Sequence, residues 1–138
     1  MLHVRKSLCV VDDDTIYQFT TARMVQIVDS TVDVLTFGDG EQAMRYIHAN
    51  AHDASKLPDM ILLDLNMPFM DGWEFLTAFE AIRDSLSKSI VIYVVSSSID
   101  ERDALRARSY GDVQDYLEKP VTTDRIRTLL SEYVKRPG

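Results

Sequence analysis

The sequence predicts an α/β protein in which a doubly wound parallel sheet carries helices on both faces. Short apolar runs alternate five times along the chain with longer segments whose apolar residues recur at helical spacing. The most apolar run, Met60–Leu63, has no polar residue to face water, which is typical of a strand buried on both sides. Alternating strands and helices connect through right-handed crossovers, and this connection favours a parallel sheet.

Five segments are predicted as strands, which are residues 7–11, 32–37, 60–63, 89–95 and 112–118. The first and third are almost wholly apolar and are expected in the interior of the sheet. The second alternates between polar and β-branched or aromatic residues, so it is expected nearer an edge. The fifth is half polar and is also expected to be half exposed.

Five segments are predicted as helices, which cover about residues 15–28, 41–51, 72–86, 100–108 and 123–134. In the first helix the apolar spacing predicts an inward face, which consists of Ile16, Phe19, Thr20, Met24, Ile27 and Val28. The fourth helix is short and strongly charged. It is therefore predicted to be the most weakly packed of the five.

The composition restricts the classes of function. The chain is the size of one domain, and residues 1–138 are interpreted as a single domain. A net charge of -7 without a cluster of Lys and Arg argues against direct nucleic-acid binding. No apolar run could span a bilayer and the N-terminus lacks a signal-peptide pattern, so a cytoplasmic protein without membrane contact is expected. The single cysteine, Cys9, is expected in the core.

Polar side chains follow four of the predicted strands where each strand ends. They are Asp12 and Asp13, Asp64, Ser96 and Lys119. The carboxyl ends of parallel strands lie along one edge of the sheet, so these side chains are expected to meet. Two carboxylates 4 Å apart repel by about 1 kcal/mol in water and about 4 kcal/mol at an effective dielectric constant of 20. The cluster therefore predicts a bound cation, and its oxygen ligands favour Mg²⁺.

A metal ion, a carboxylate, a hydroxyl and an ammonium around one point are suited to phosphoryl transfer, which depends on positioning and charge neutralisation. Asp64 is the predicted nucleophile because it leaves the central strand beside the other groups. A purely structural alternative stays open. In it, Lys119 forms a buried ion pair with Asp64, and residues 12–14 cap the first helix.

These residues resemble the receiver domain of two-component response regulators, including the single-domain chemotaxis regulator. The matching segments are Val11–Asp14, Leu63–Pro68, Met70–Gly72, Val95–Ser97 and Tyr116–Pro120. The resemblance covers essentially the whole chain and implies a flavodoxin-like sheet in the strand order 2-1-3-4-5. It also implies a stand-alone receiver without an effector domain.

The resemblance implies a role for each acidic residue. Asp64 would accept a phosphoryl group from a sensor histidine kinase or a histidine phosphotransfer protein. Mg²⁺, with Mn²⁺ as a substitute, would be held by Asp13, Asp64 and the backbone carbonyl of Asn66, and Asp12 would act largely through water. Backbone groups of Asn66 and Ser97 would contact the phosphoryl group.

The resemblance also implies a switch. Lys119 would pair with the phosphoryl oxygens, and the Ser96 hydroxyl would move to bond one of them. Tyr116 would then rotate inward and alter the face formed by helix four, strand five and helix five, where a downstream protein partner binds. The Lys119–Pro120 peptide would be cis.

Two other functions compete with a signalling receiver that controls a partner or passes the phosphoryl group on. A Mg²⁺-dependent phosphohydrolase with an Asp nucleophile usually has a second Asp two residues later, where this chain has Asn66. The chain is therefore predicted to catalyse only its own phosphorylation and dephosphorylation. A phosphate-independent interaction module would not need the complete set of acids, hydroxyl and lysine. The role of the 51–58 loop is not predicted.

Overall fold

A computed structural model describes residues 6–98 and 100–135 of the chain. Five strands form one parallel sheet; they are β1 (Ser7–Val11), β2 (Asp33–Phe37), β3 (Met60–Asp64), β4 (Val91–Ser96) and β5 (Val113–Glu118). The strand order is β2-β1-β3-β4-β5, as expected. Residues 1–5, which bear on the expected absence of a signal peptide, lie outside the described residues. Within the described ranges, no helix combines the length and apolar character needed to cross a bilayer.

Five α-helices alternate with the strands; they are α1 (Thr15–Val28), α2 (Gly40–Ala49), α3 (Gly72–Ile82), α4 (Glu101–Arg108) and α5 (Thr123–Lys135). The predicted extension of the third helix to residue 86 is wrong. A 3-10 turn, Arg83–Ser85, follows α3 instead. The Ser85 hydroxyl donates to the carbonyl of Ile82 at 2.6 Å, which satisfies one of the carbonyls left free at the helix end.

Aspartates begin the first four helices. The carboxylate of each accepts a hydrogen bond from a backbone N–H of the first turn, and the four residues are Asp14, Asp39, Asp71 and Asp100. Such N-caps satisfy backbone donors that have no partner within the helix. Each helix therefore starts at a fixed point beside the carboxyl ends of the strands.

The sheet has a hydrophobic core on each face. Alternate residues of a strand point to opposite faces, so Ile61 and Leu63 pack against α2, α3 and α4, whereas Met60 and Leu62 pack against α1 and α5. All four side chains are buried, as expected for a central strand. Cys9 is buried on the α2–α4 side, which confirms its predicted place in the core.

The predicted inward face of α1 is largely wrong, although Val28 does pack against the core. Ile16, Phe19 and Ile27 are 76%, 70% and 72% exposed. The residues of α1 that are fully buried are Thr21 and Val25, and the half-buried Tyr17 packs beside them. The helix therefore turns a stripe spaced by four residues toward the sheet, and this stripe begins with two hydroxyl-bearing side chains that an apolar count does not register.

The 51–58 loop is held at the amino-terminal edge of the sheet. The ammonium of Lys88 donates to the backbone carbonyl of Leu57 at 2.9 Å. The backbone N–H of Ser87 donates to the carbonyl of Ala51 at 2.8 Å. The loop, to which the sequence assigned no role, is therefore bound to the segment that leads into β4.

Candidate functional site

The predicted acidic cluster is present at the carboxyl edge of the sheet. Carboxylate oxygens of Asp12, Asp13 and Asp64 lie within 4.8 Å of one another. Asp12 and Asp64 are buried, and Asp13 is exposed to solvent. The edge of the sheet therefore holds two shielded carboxylates and one that opens the cluster to water.

Backbone and side-chain hydrogen bonds fix Asp12 beyond the end of β1. Its N–H donates to the carbonyl of Phe37 at 3.0 Å, and its Oδ1 accepts from the N–H of Asp14 at 2.9 Å. The side-chain amide of Gln18 donates to the carbonyls of both Asp12 and Phe37. Gln18 was not predicted from the sequence to contact the site. Its position one turn into α1, directly after the acidic run, could have indicated this contact.

Lys119 reaches the cluster from the end of β5. Its Nζ lies 2.6 Å from Asp12 Oδ2 and 3.8 Å from Asp64 Oδ1. Burial alone would lower the pKa of Lys119, but the hydrogen bond to Asp12 and the charges of Asp64 and Asp12 outweigh it and raise that pKa. The lysine is therefore charged at neutral pH, and its short contact is with Asp12.

This arrangement differs from the structural alternative, in which Lys119 forms a simple pair with Asp64 and the acidic run caps α1. Only Asp14 of that run acts as the helix N-cap. The three clustered carboxylates and one ammonium leave two negative charges at a partly solvated point. A hard divalent cation fits this donor set, since Mg²⁺ is bound through a few carboxylates and retains several waters.

The negative charge of the cluster affects the pKa of Asp64. Burial, and next the negative charge of Asp12, raise the pKa of Asp64 to about 6, although Lys119 acts in the opposite direction. The side chain is 7% exposed, and its Oδ1 accepts a long 3.4 Å hydrogen bond from the N–H of Asn66. The exposed Asn66 thus lies beside the acid, where its carbonyl was predicted to bind the metal.

The metal-free protein should gain stability when Asp64 is replaced by Asn. In the folded state the pKa of about 6 lies above the ordinary 3.8, so stability falls as the pH rises between these two values. Asp64→Asn is expected to raise the free energy of unfolding near neutral pH by about 1–3 kcal/mol. Urea unfolding with a chelator present should show this gain, and it should vanish below about pH 4. An equal gain at both pH values would show that ionisation of Asp64 is not its source.

The predicted switch residues meet at Ser98. The buried Ser96 Oγ accepts from the backbone N–H of Ser98 at 3.4 Å, and the hydroxyl of Tyr116 donates to the Ser98 carbonyl at 3.0 Å. Tyr116 is half buried and packs against the core on the α2–α4 side. Ser97 between them is exposed. Ser98, which the sequence analysis did not assign, therefore joins the end of β4 to β5.

The backbone around Lys119 and Asp64 is closely packed. The Lys119–Pro120 peptide is cis, and the N–H of Lys119 donates to the carbonyl of Ser96 at 2.7 Å. A Cβ atom at Gly72 would lie 2.7 Å from the carbonyl oxygen of Asp64, so only glycine fits there without displacing the end of β3. The start of α3 is therefore set directly against the central acid.

Comparison with known proteins assigns the fold and site to a family. The model of the response regulator receiver domain matches residues 8–131. The chain belongs to this family. Receiver domains are signalling phosphoacceptors of two-component systems; they bind Mg²⁺ at an acidic pocket and interact with histidine kinases and downstream effectors.

Individual relatives agree with this assignment. The transcriptional regulatory protein PrrA of Mycobacterium tuberculosis is 32% identical over 94% of this chain and 50% of its own length. A probable methanogenesis regulatory protein of Methanothrix harundinacea, FilR2, is 27% identical over 91% of this chain and 79% of its own length. The chain thus spans about half the length of PrrA.

Solved structures share the fold. A two-component response regulator from Cytophaga hutchinsonii superimposes with a TM-score of 0.85 and 24% identity, over 97% of this chain and all of that one. At this level of identity the likeness concerns the fold.

Proposed function

We propose that this chain is a phosphorylation-dependent signalling switch whose phosphoacceptor is Asp64. The observation that carries the proposal is the position of this carboxylate, which shares a cluster with Asp12 and Asp13 and lies 3.8 Å from the ammonium of Lys119. It ends the central strand and faces the open edge of the sheet. The donor is a histidine kinase or a histidine phosphotransfer protein.

In the proposed reaction, a carboxylate oxygen of Asp64 attacks the phosphorus of a phosphohistidine. The new O–P bond forms as the P–N bond breaks, and the imidazole nitrogen keeps the electron pair of that bond. A pKa of about 6 leaves most of the carboxylate ionised near neutral pH, as a nucleophile requires. Lys119 stabilises the negative charge on the phosphoryl oxygens, and backbone groups of Asn66 and Ser97 contact them.

A divalent cation belongs to this proposal because the donor set fits one. Asp13, Asp64 and the carbonyl of Asn66 would hold Mg²⁺ or Mn²⁺, with Asp12 acting through water. The bound ion would neutralise charge on the acid and the phosphoryl group. The exposed position of Asp13 and Asn66 leaves room for the waters that such an ion retains.

The output proposed is a change in the face formed by α4, β5 and α5. Ser96 and Tyr116 both contact Ser98, so a Ser96 hydroxyl that moves to a phosphoryl oxygen disturbs the carbonyl that holds Tyr116. Asp115 of β5 pairs with Arg125 of α5 at 2.9 Å and with Arg108 of α4 at 3.8 Å. These pairs tie the three elements together, so a shift of β5 reaches both helices.

The partner on that face is proposed to be a protein rather than a nucleic acid. The net charge of -7 and the absence of a basic run in the sequence support this choice. That the chain works without an attached output domain stays a prediction, as does its cytoplasmic location. Relay of the phosphoryl group to another protein is the second route of output.

Intact-mass spectrometry tests the proposal. After incubation with Mg²⁺ and acetyl phosphate, the protein is expected to gain one phosphoryl group, and Asp64→Asn is expected to gain none. Asp84→Asn is the matched control, because this exposed acid follows α3 and has no contact with the cluster. A phosphoryl group on the Asp64→Asn variant would refute the assignment of the acceptor. Steady release of phosphate without an adduct would favour the phosphohydrolase alternative.

A further inference from the structure

The ring of Tyr17 forms an additional side of the site. The Nζ of Lys119 lies 4.4 Å from the centroid of this ring, in the range in which an aromatic face attracts a cation. The same ammonium contacts Asp12 at 2.6 Å and Asp64 at 3.8 Å. Two carboxylates and one aromatic ring therefore surround the charge of Lys119.

The part of Tyr17 that lies against the Lys119 ammonium is the face of its ring. The hydroxyl oxygen is buried close to the side chain of Thr21 and the backbone of Val121, although neither contact has good hydrogen-bond geometry. Thr21, one turn further along α1, has a buried hydroxyl in the same condition. A phenyl ring at this position keeps the aromatic face that the ammonium contacts, so it is expected to hold Lys119 as the tyrosine ring does.

The proposed reaction requires Lys119 to exchange one anionic partner for another. Lys119 makes its short contact with Asp12 before phosphorylation, yet it has to pair with oxygens on a phosphoryl group carried by Asp64. An ammonium attracted by charge alone would stay bound to the nearest carboxylate. An aromatic face attracts the ammonium without accepting a strong hydrogen bond, so the lysine can change its anionic partner without leaving the ring.

We propose that Tyr17 is a positioning residue for Lys119, whose ring holds the ammonium where it can reach both Asp12 and a phosphoryl group on Asp64. This inference rests on the proposed function. It concerns Tyr17, which is not among the predicted site residues. The competing explanation is that Tyr17 only fills the core between α1 and α5, where its ring packs.

Substitutions at position 17 separate the two explanations. Tyr17→Phe keeps the ring, whereas Tyr17→Leu and Tyr17→Met keep an apolar side chain and remove the aromatic face. The initial rate of phosphorylation should be measured against acetyl phosphate concentration in the presence of Mg²⁺. The phenylalanine variant is expected to match the wild type within about twofold, and the other two to be slower by roughly 3- to 10-fold. Phe19→Leu, which removes an exposed ring from the same helix, should leave the rate unchanged.

An NMR measurement reports the contact itself and does not depend on phosphorylation. Ring current should shift the Lys119 side-chain protons upfield in the wild type and in Tyr17→Phe, and this shift should disappear in Tyr17→Leu and Tyr17→Met. Wild-type phosphorylation with equal rates in all variants would overturn the inference while leaving Asp64 as acceptor. An upfield shift without phosphorylation of the wild type would instead reject the proposed function and, with it, the task assigned to the ring.

Discussion

Saturating Mg²⁺ is expected to raise the free energy of unfolding by about 3 kcal/mol when the free ion is at a hundredfold excess over its dissociation constant. The physical reason is the uncompensated charge at the carboxyl edge of the sheet. Lys119 already neutralises Asp12 through its 2.6 Å contact, whereas no cation of residues 6–98 and 100–135 lies as close to Asp13 or Asp64. A divalent ion between them relieves their repulsion.

The Asp13→Asn variant should lose stabilisation by Mg²⁺ but should not lose stability in the absence of Mg²⁺. It loses one ligand, so most of the stabilisation by Mg²⁺ should disappear. It also loses one negative charge, so the variant should equal or slightly exceed the wild type in stability when a chelator is present. A residue that merely supports the fold would not produce this combination.

Urea unfolding with and without Mg²⁺, followed by the fluorescence of Trp73, measures both effects. Asp84→Asn removes an exposed acid at the opposite edge of the sheet and should keep the full response of the wild type. The gain from Mg²⁺ should also shrink below pH 6, because protons compete for Asp64. A full Mg²⁺ response in Asp13→Asn would place the ion elsewhere.

The sequence was sufficient to predict which residues gather at the site, because that follows from topology. Once the strands are parallel, the residues that end β1, β3, β4 and β5 share one edge, whatever their side chains do. Distances within the edge do not follow from strand order. Lys119 makes its short contact with Asp12 and not with Asp64, and that preference depends on side-chain conformations set by neighbouring packing.

The inward face of α1 could not be predicted from its apolar residues, because the helix carries two stripes. One includes Ile16 and Ile27 and faces water; the other runs through Tyr17, Thr21 and Val25 and faces the core. An apolar count favours the wrong stripe, since the buried one begins with hydroxyl-bearing side chains. For the same reason Tyr17 was not expected to face inward. Its contact with Lys119 could not be predicted either, because the two residues are distant in sequence.

Removing the charge of Lys88 is expected to lower the free energy of unfolding by about 3 kcal/mol, although Lys88 is far from the acidic cluster. Its ammonium pairs with Asp59 at 3.1 Å, and the two side chains are 15% and 8% exposed. Asp59 also accepts from the N–H of Ser7 at 2.8 Å at the start of β1. The pair therefore joins the segments that lead into three central strands.

The cost of Lys88→Met arises because the buried carboxylate of Asp59 loses the ammonium that lies 3.1 Å from it, and breaking one side of a buried pair typically costs about 3–5 kcal/mol. Arg45→Met is the matched control: it breaks a 2.8 Å pair with Glu41 that is exposed and should cost less than about 1 kcal/mol. The double variant Lys88→Met/Asp59→Asn should recover most of the loss, since the buried carboxylate charge is removed together with the ammonium. Urea unfolding of the four proteins measures these differences, and equal costs for the two single variants would show that burial does not strengthen this pair. Phosphorylation of Asp64 should persist in each folded variant, because the pair lies at the opposite edge of the sheet.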